Sequence, residues 1–281
     1  SNPSPDFTQR IASAFETGHF DFVSNDDSVV RFGTGSYGDL AATIAAIILD
    51  RESRDILYDT DPMHGSLKEP LLKVLGLFRS LIFELKDNEP WIEFVSGFGD
   101  RIGQMAHEVP NVFSFFLPEY RPSGRVGQAA LVAPEAQLLT GPRIVDSLNG
   151  MFSLIRYGLN HCFGGFASGD RPRNIVADCN ILDDKDESGL KSVGLGALTY
   201  QPITEGNTPR EIIDDLATMM TSGRLSRENR ELIEDAVTRD HVGTDLVKAV
   251  QLLIAATPEF HATNTVRKTG VSRERKPPLP P

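Results

Sequence analysis

The chain has 281 residues, 40% of them apolar, enough to bury a substantial core as one large domain or two small ones. Its net charge of −11 disfavours nucleic acid, whose binding needs a basic stripe to release counterions. No apolar run approaches the ~18 to 20 residues that span a bilayer, and two cysteines are too few for a disulfide scaffold or a four-thiolate zinc site.

In chain order, Ser4 as cap, Pro5 at the first helical position, Phe7, Ile11 and Phe15 at four-residue spacing and Gly18 as terminator predict a short amphipathic helix. Residues 19–35 read as a polar, glycine-rich loop. Ser36 and Asp39 resemble a capping box, and Leu40, Ile44, Ile47 and Ile48 make the apolar face of a helix that ends near Arg54. Leu71, Val74, Leu75, Phe78, Leu81, Ile82 and Leu85 predict a core helix opening at Glu69-Pro70, and Trp91, Phe94, Val95 and Phe98 a further helical stretch.

Residues 110–155 read as the centre of the fold. Phe113, Phe115, Phe116 and Tyr120 stand among Pro118, Pro122 and Gly124, and such a proline-broken loop needs clamping by helices on both sides. A helix follows from Thr140-Gly141-Pro142 with Ile144, Val145, Leu148, Met151, Phe152 and Ile155 inward. Residues 160–207 are a long excursion with a small hairpin near 193–199. Thr208 and Glu211 form a capping box before Ile212, Ile213, Leu216, Met219 and Met220, and Gly223 ends that helix. Ser226 caps the next, and a last helix from Thr244 stops at Pro258. The expected organisation is a helical domain over 1–264 and a basic, proline-rich disordered tail over 265–281. The fold class is mainly α, a multi-helix globular bundle with long irregular loops and at most a small β-hairpin.

Motifs with chemical meaning are few. Gly33-Thr-Gly35-Ser-Tyr-Gly38 matches a dinucleotide fingerprint, but no alternating strands and helices follow it, so it reads as a turn and no cofactor is expected. Asp184, Asp186 and Ser188 precede Gly189 as in a calcium loop, yet the twelfth position is Leu195 where a bidentate Glu is needed; a metal site is therefore not expected. No two histidines stand at i, i+4, and no GxSxG elbow is present. The terminal Arg275-Lys-Pro-Pro278-Leu-Pro-Pro281 matches a polyproline ligand and reads first as linker. Cys162 and Cys179 are expected to bond to each other. The glycine-rich segment between them has little core of its own, and closing a loop of that size stabilises by about 3 kcal/mol in the chain-entropy model.

Five blocks in order carry a family resemblance: GDLAATIAAIILDRESR (38–54), LKEPLLKVLGLFRSL (67–81), NVFSFFLPEYRPSG with LVAPEAQLLT (111–140), MMTSGRLS (219–226) and AVQLLIAATPEF (249–260). The chain resembles the C-terminal half of the large, mostly bacterial family called domain of unknown function 1800, from about Ser1 to Asn264. The resemblance implies a predominantly helical, often exported protein made alongside a sulfatase-like companion, and it brings no catalytic residues. Family members have a comparable helical region upstream, so SNPSP reads as an interior segment with that region, and a signal peptide, expected before it.

Two functions are in view. The first is a secreted, extracellular or periplasmic module without enzymatic activity, which binds other proteins, its own upstream half or extracellular polymer and is able to form oligomers. The second is an extracellular hydrolase of polysaccharide or sulfated polymer. Its site would lie on the loop bearing Phe113, Phe116, Glu119, Tyr120, Arg121, Arg125 and Glu135, where two carboxylates and an arginine would supply acid and base groups.

Overall fold

A computed structural model describes residues 2–24, 26–55, 57–58, 64–85, 99, 101–160, 165–166, 196–202, 207–238 and 244–263. These form ten α-helices and two small two-stranded antiparallel sheets, so the fold is mainly α. The stretch 91–98, the cysteines Cys162 and Cys179, the residues Asp184, Asp186 and Ser188, and the proline-rich tail lie outside the described residues.

The N-terminal layer is built from α1 (Pro5–Thr17), a hairpin of β1 (Phe20–Val23) and β2 (Val29–Phe32), α2 (Leu40–Leu49) and α3 (Arg51–Arg54). Ser4 Oγ accepts from Phe7 N–H at 3.0 Å, and Gly18 closes α1 in the left-handed region at φ 68°, as its sequence predicts. The expected loop at 19–35 is a hairpin. It pairs Phe20 with Phe32 and Val23 with Val29, and the cross-strand neighbours Asp21 and Arg31 form a 2.7 Å ion pair. Asp39, not Ser36, caps α2: its carboxylate accepts from Ala42 N–H at 3.0 Å and from Thr34 N–H at 2.8 Å. The expected single helix to Arg54 breaks at Asp50, whose extended backbone and side chain start α3.

α1 packs on α2, and the residues α2 buries are Ala42, Ala45 and Ala46. Leu40, Ile44, Ile47 and Ile48, read from the sequence as the core face, point to solvent. The small residues give α1 a close approach, and the large ones form an outward apolar ridge.

The main core lies further along. It is made by α4 (Pro70–Ser80), α6 (Gly141–Tyr157), α7 (Pro209–Thr221), α8 (Arg227–Thr238) and α9 (Thr244–Ala255), with the short α10 (Pro258–His261) against it. Val74, Leu77, Leu154, Ile213, Leu216, Val250 and Ile254 are among its buried side chains, each adding about 1.5 to 3 kcal/mol of burial free energy. The capping box of α7 is present in both directions, with Thr208 N–H on Glu211 Oε2 at 2.7 Å. Gly150 of α6 leaves the space in which the ring of Phe166 sits; a Cβ there would come within 2.1 Å of it.

α4 ends at Ser80, earlier than its apolar series suggests. Ile82 adopts a left-handed backbone at φ 51°, and Phe83–Leu85 becomes β3, paired with β4 (Gly196–Leu198). Strand is thus not confined to the 160–207 excursion. Pro258 does more than stop α9, since it opens α10.

The 110–140 loop does not lie at the centre. Val112 is 93% and Phe113 59% exposed, and the core cluster contains no residue between Ile102 and Met151. The loop lies on the surface, with a four-residue helix α5 (Arg125–Gln128) and a 3-10 turn (Pro134–Leu138) as its regular pieces. It is fastened by Ala133 N–H to Tyr120 O at 3.0 Å, by Leu117 N–H to Gln137 Oε1 at 2.8 Å, and by a two-way amide clasp between Asn2 and the backbone of Val132. Backbone and amide bonds hold this loop where the sequence suggests apolar clamping.

Candidate functional site

Beneath the loop lies a cleft of about 460 Å³ lined by Met105, Glu108, Phe115, Gln137, Leu138 and Arg143, with Gly99 and Gly103. Its shape follows from local backbone. Gly103 has φ 73°, and a Cβ on it would fall 2.4 Å from Nε of Arg143, so the missing side chain is what lets the guanidinium lie across that turn. Gln137 has its carbonyl occupied by Leu117 N–H, which leaves its NH₂ donors for other acceptors. Among the described residues neither Glu108 nor Arg143 forms an ion pair. One carboxylate, one guanidinium and one amide around an aromatic wall can hold a small polar group; they do not make a nucleophile with its base.

The sequence-predicted loop residues are not in this cleft. Phe113, Glu119, Arg121 and Arg125 are exposed, while Phe116, Tyr120 and Glu135 are half-buried, and none of the seven lines it. The loop's contributions are Pro110, Phe115, Gln137 and Leu138. Among the described residues no group of three His, Cys, Asp or Glu side chains is placed to hold a metal ion. No helix among them is long and apolar enough to cross a membrane.

The glycine motif is a packing device. A Cβ on Gly33 would come within 2.3 Å of Gly18 O and 2.7 Å of the Ala42 methyl, so β2 can meet the end of α1 and α2 only through glycine. The amides that would face a phosphate in a dinucleotide loop are engaged inside the protein. Gly35 N–H donates to Gly18 O at 2.9 Å, Gly38 N–H to Phe15 O at 2.8 Å and Thr34 N–H to Asp39. The Asp39 carboxylate also occupies the N-terminus of α2.

The ridge on α2 is the larger surface feature. Ile44 is 53% and Ile48 58% exposed, and Leu40 and Ile47 flank them. Val23, Val29 and Val30 of the hairpin are exposed as well, as are Ile144, Val145, Leu148 and Phe152 along α6. Large aliphatic residues at i, i+4 and i+7, i+8 on an outward helix face are what a helix carries when a second surface covers it.

The pattern of the family described as protein of unknown function (DUF1800) matches residues 1–262. The chain belongs to that family. No curated protein and no solved structure matches it. In this DUF1800 chain the features that sequence reasoning missed are Glu108, Arg143, the direction in which α2 faces and the outward turn of Ile144, Val145, Leu148 and Phe152 on α6, of whose expected inward series Met151 and Ile155 alone are buried. Glu108 and Arg143 have no periodic signal; they share the lining of one cleft, with Arg143 lying against the Gly103 turn. The α2 direction had one: LAATIAAIIL is apolar on every face, with its alanines spaced to make a second stripe beside the isoleucines.

Proposed function

We propose that this DUF1800 chain is an exported, non-enzymatic assembly module, and that the α2 ridge is the surface by which it joins another polypeptide. The observation that carries the reading is the orientation of α2, alanines inward and Leu40, Ile44, Ile47 and Ile48 outward. Covering those four half-exposed side chains is worth roughly 3 to 6 kcal/mol, enough to favour association and a cost in solubility if left bare. The exposed Val112 and Phe113 of the 110–140 loop supply further apolar contact area. A hydrolase of the kind expected from two carboxylates would need both in one cleft. The cleft here is lined by a single carboxylate, Glu108, among the described residues.

The test is the association state of the chain and of Ile44→Asp/Ile48→Asp. Both substitutions face solvent and leave the alanine packing on α1 untouched. Sedimentation velocity is expected to show concentration-dependent association in the wild type and a monomer in the double variant, with unchanged helical circular dichroism. A wild type that stays monomeric and binds no more hydrophobic dye than the variant would sink the proposal.

A further inference from the structure

The cleft beneath the 110–140 loop has its lining side chains fixed in advance. Gly99 O accepts from Gly103 N–H at 2.8 Å and from Gln104 N–H at 3.1 Å, which closes the turn that forms one side of it. Both glycines of that turn are covered. A Cβ on Gly99 would fall 2.7 Å from Met105 Sδ, and one on Gly103 would strike the Arg143 guanidinium. Thioether and guanidinium therefore lie against bare backbone, in places that two missing methyl groups set. Leu117 N–H holds Gln137 Oε1 at 2.8 Å, and Leu138 is only 5% exposed. Glu108 N–H donates to Met105 O at 3.2 Å, and the Glu108 side chain, exposed yet part of the lining, stands at the mouth.

Arg143 and Glu108 line this cleft without pairing with each other or, among the described residues, with any other charge. A guanidinium carries five N–H donors in a planar fork that matches a carboxylate, and a carboxylate accepts from an ammonium. The Gln137 NH₂ is a further donor, since its carbonyl is taken. At about 460 Å³ the cleft falls within the roughly 300 to 1,000 Å³ of small-molecule sites, which are mostly apolar with a few convergent polar groups. The two opposite charges decide among ligands. A multiply charged anion is repelled by Glu108, a simple amine is repelled by Arg143, and a neutral molecule leaves both without a counter-charge.

We propose that this cleft binds a small zwitterion with an apolar body, a free α-amino acid with a large apolar side chain or a dipeptide ending in one. Arg143 and the Gln137 NH₂ take its carboxylate, and Glu108 takes its ammonium. The hydrocarbon part lies on Phe115, Met105 and Leu138, the apolar side chains of the lining. Such a ligand supplies both counter-charges at once, which no singly charged molecule does. The site uses no residue of the α2 ridge and is independent of the assembly reading.

The test is calorimetric titration of the full chain at pH 7 with L-phenylalanine and with L-leucyl-L-phenylalanine. Two analogues serve as further arms: 3-phenylpropionate, which lacks the ammonium, and phenethylamine, which lacks the carboxylate. Saturable binding of a zwitterion is expected, about ten-fold or more tighter than that of either analogue. The tighter of the two zwitterions tells a free amino acid from a peptide. Arg143→Met should weaken the zwitterion and 3-phenylpropionate about ten-fold or more and leave phenethylamine no weaker. Glu108→Gln should weaken the zwitterion and phenethylamine and leave 3-phenylpropionate no weaker. Circular dichroism checks both variants. Should Arg143→Met fail to fold, the two analogues and Glu108→Gln, at an exposed position, carry the test. No saturable binding of either zwitterion, an analogue binding as tightly as the zwitterions, or full zwitterion affinity in a folded variant would each overturn the proposal.

Discussion

Arg10 on α1 holds Asp50 in a two-pronged ion pair, with Nε 2.5 Å from Oδ2 and Nη2 2.8 Å from Oδ1. Asp50 sits at the break between α2 and α3, and Glu52 beside it accepts from Ser4 N–H at 2.7 Å, so the N-terminus of α1 is anchored on two buried carboxylates. Replacing Arg10 by Met strands the Asp50 charge. The expected loss is about 2 kcal/mol in urea unfolding at pH 7, less than for a fully buried pair because Arg10 keeps solvent contact. Hydrogen bonding from Arg10 holds the Asp50 carboxyl below its usual range. The pair's contribution is therefore fully present above the unfolded carboxyl value and is lost as pH falls through the lower folded value. Below that value, wild type and Arg10→Met should converge in stability.

Gly33 and Gly35 separate space from backbone strain. Both have positive φ, 92° and 80°, but a Cβ on Gly33 meets Gly18 O while one on Gly35 meets nothing within 4 Å. Gly35→Ala is expected to cost about 1 kcal/mol from left-handed strain alone, and Gly33→Ala at least about 2 kcal/mol more. Equal losses in thermal or urea unfolding would refute the packing account.

The direction of α2 is open to an equally simple measurement. Ala42 is fully buried, so Ala42→Leu forces bulk into the contact with α1 and the hairpin and should destabilise by about 1 to 3 kcal/mol. Ile48→Lys, on the outward face, should change stability by less than about 0.5 kcal/mol. The opposite order would mean that the isoleucines face the core.

Lys73 and His261 predict a particular pH profile. Burial, followed by the charges of Lys73 and Lys68, brings His261 down to about 4, and Lys73 stands at about 8 against an ordinary 10.5. Between each folded value and its ordinary one the unfolded chain binds more protons, so stability rises with pH across about 4 to 6.5 and again across about 8 to 10.5. For Lys73 the rise is roughly 3 kcal/mol at most. Lys73→Met should be more stable than wild type at pH 7 and should lack the alkaline rise. A variant that retains the alkaline rise would place its origin in another group.

Where local chemistry fixes local structure, the fold was legible. Ser4, Pro5 and Gly18 bound α1, and Thr208 with Glu211 opens α7, because caps act within one turn. The mainly helical class followed from the 3.6-residue apolar series. The misreadings share a cause. Ile44 and Ala45 are both apolar, and which of them faces the core depends on how closely α1 approaches, a tertiary quantity. The 110–140 aromatics read as core because aromatic residues usually are, yet this loop is held by Asn2, Gln137 and its own backbone. Arg143 lies across a glycine turn that no periodicity marks.

Ser66 and Thr263, 197 positions apart, are zipped together: Ser66 N–H donates to Thr263 Oγ1 at 2.9 Å and Thr263 N–H to Ser66 O at 3.0 Å, with Lys68 N–H on His261 O beside them. Closing so long a loop forfeits more chain entropy than any neighbouring helix contact does, so it becomes favourable only after α4, α7 and α9 have collapsed together. The zipper is therefore expected to form after the main folding barrier, an order that the folding and unfolding rates of Thr263→Ala in urea check. Interactions absent from the transition state act on the rate of unfolding and leave the rate of folding almost unchanged. The two paired segments thus act as a terminal fastening, which lengthens the lifetime of the folded chain without hastening its formation.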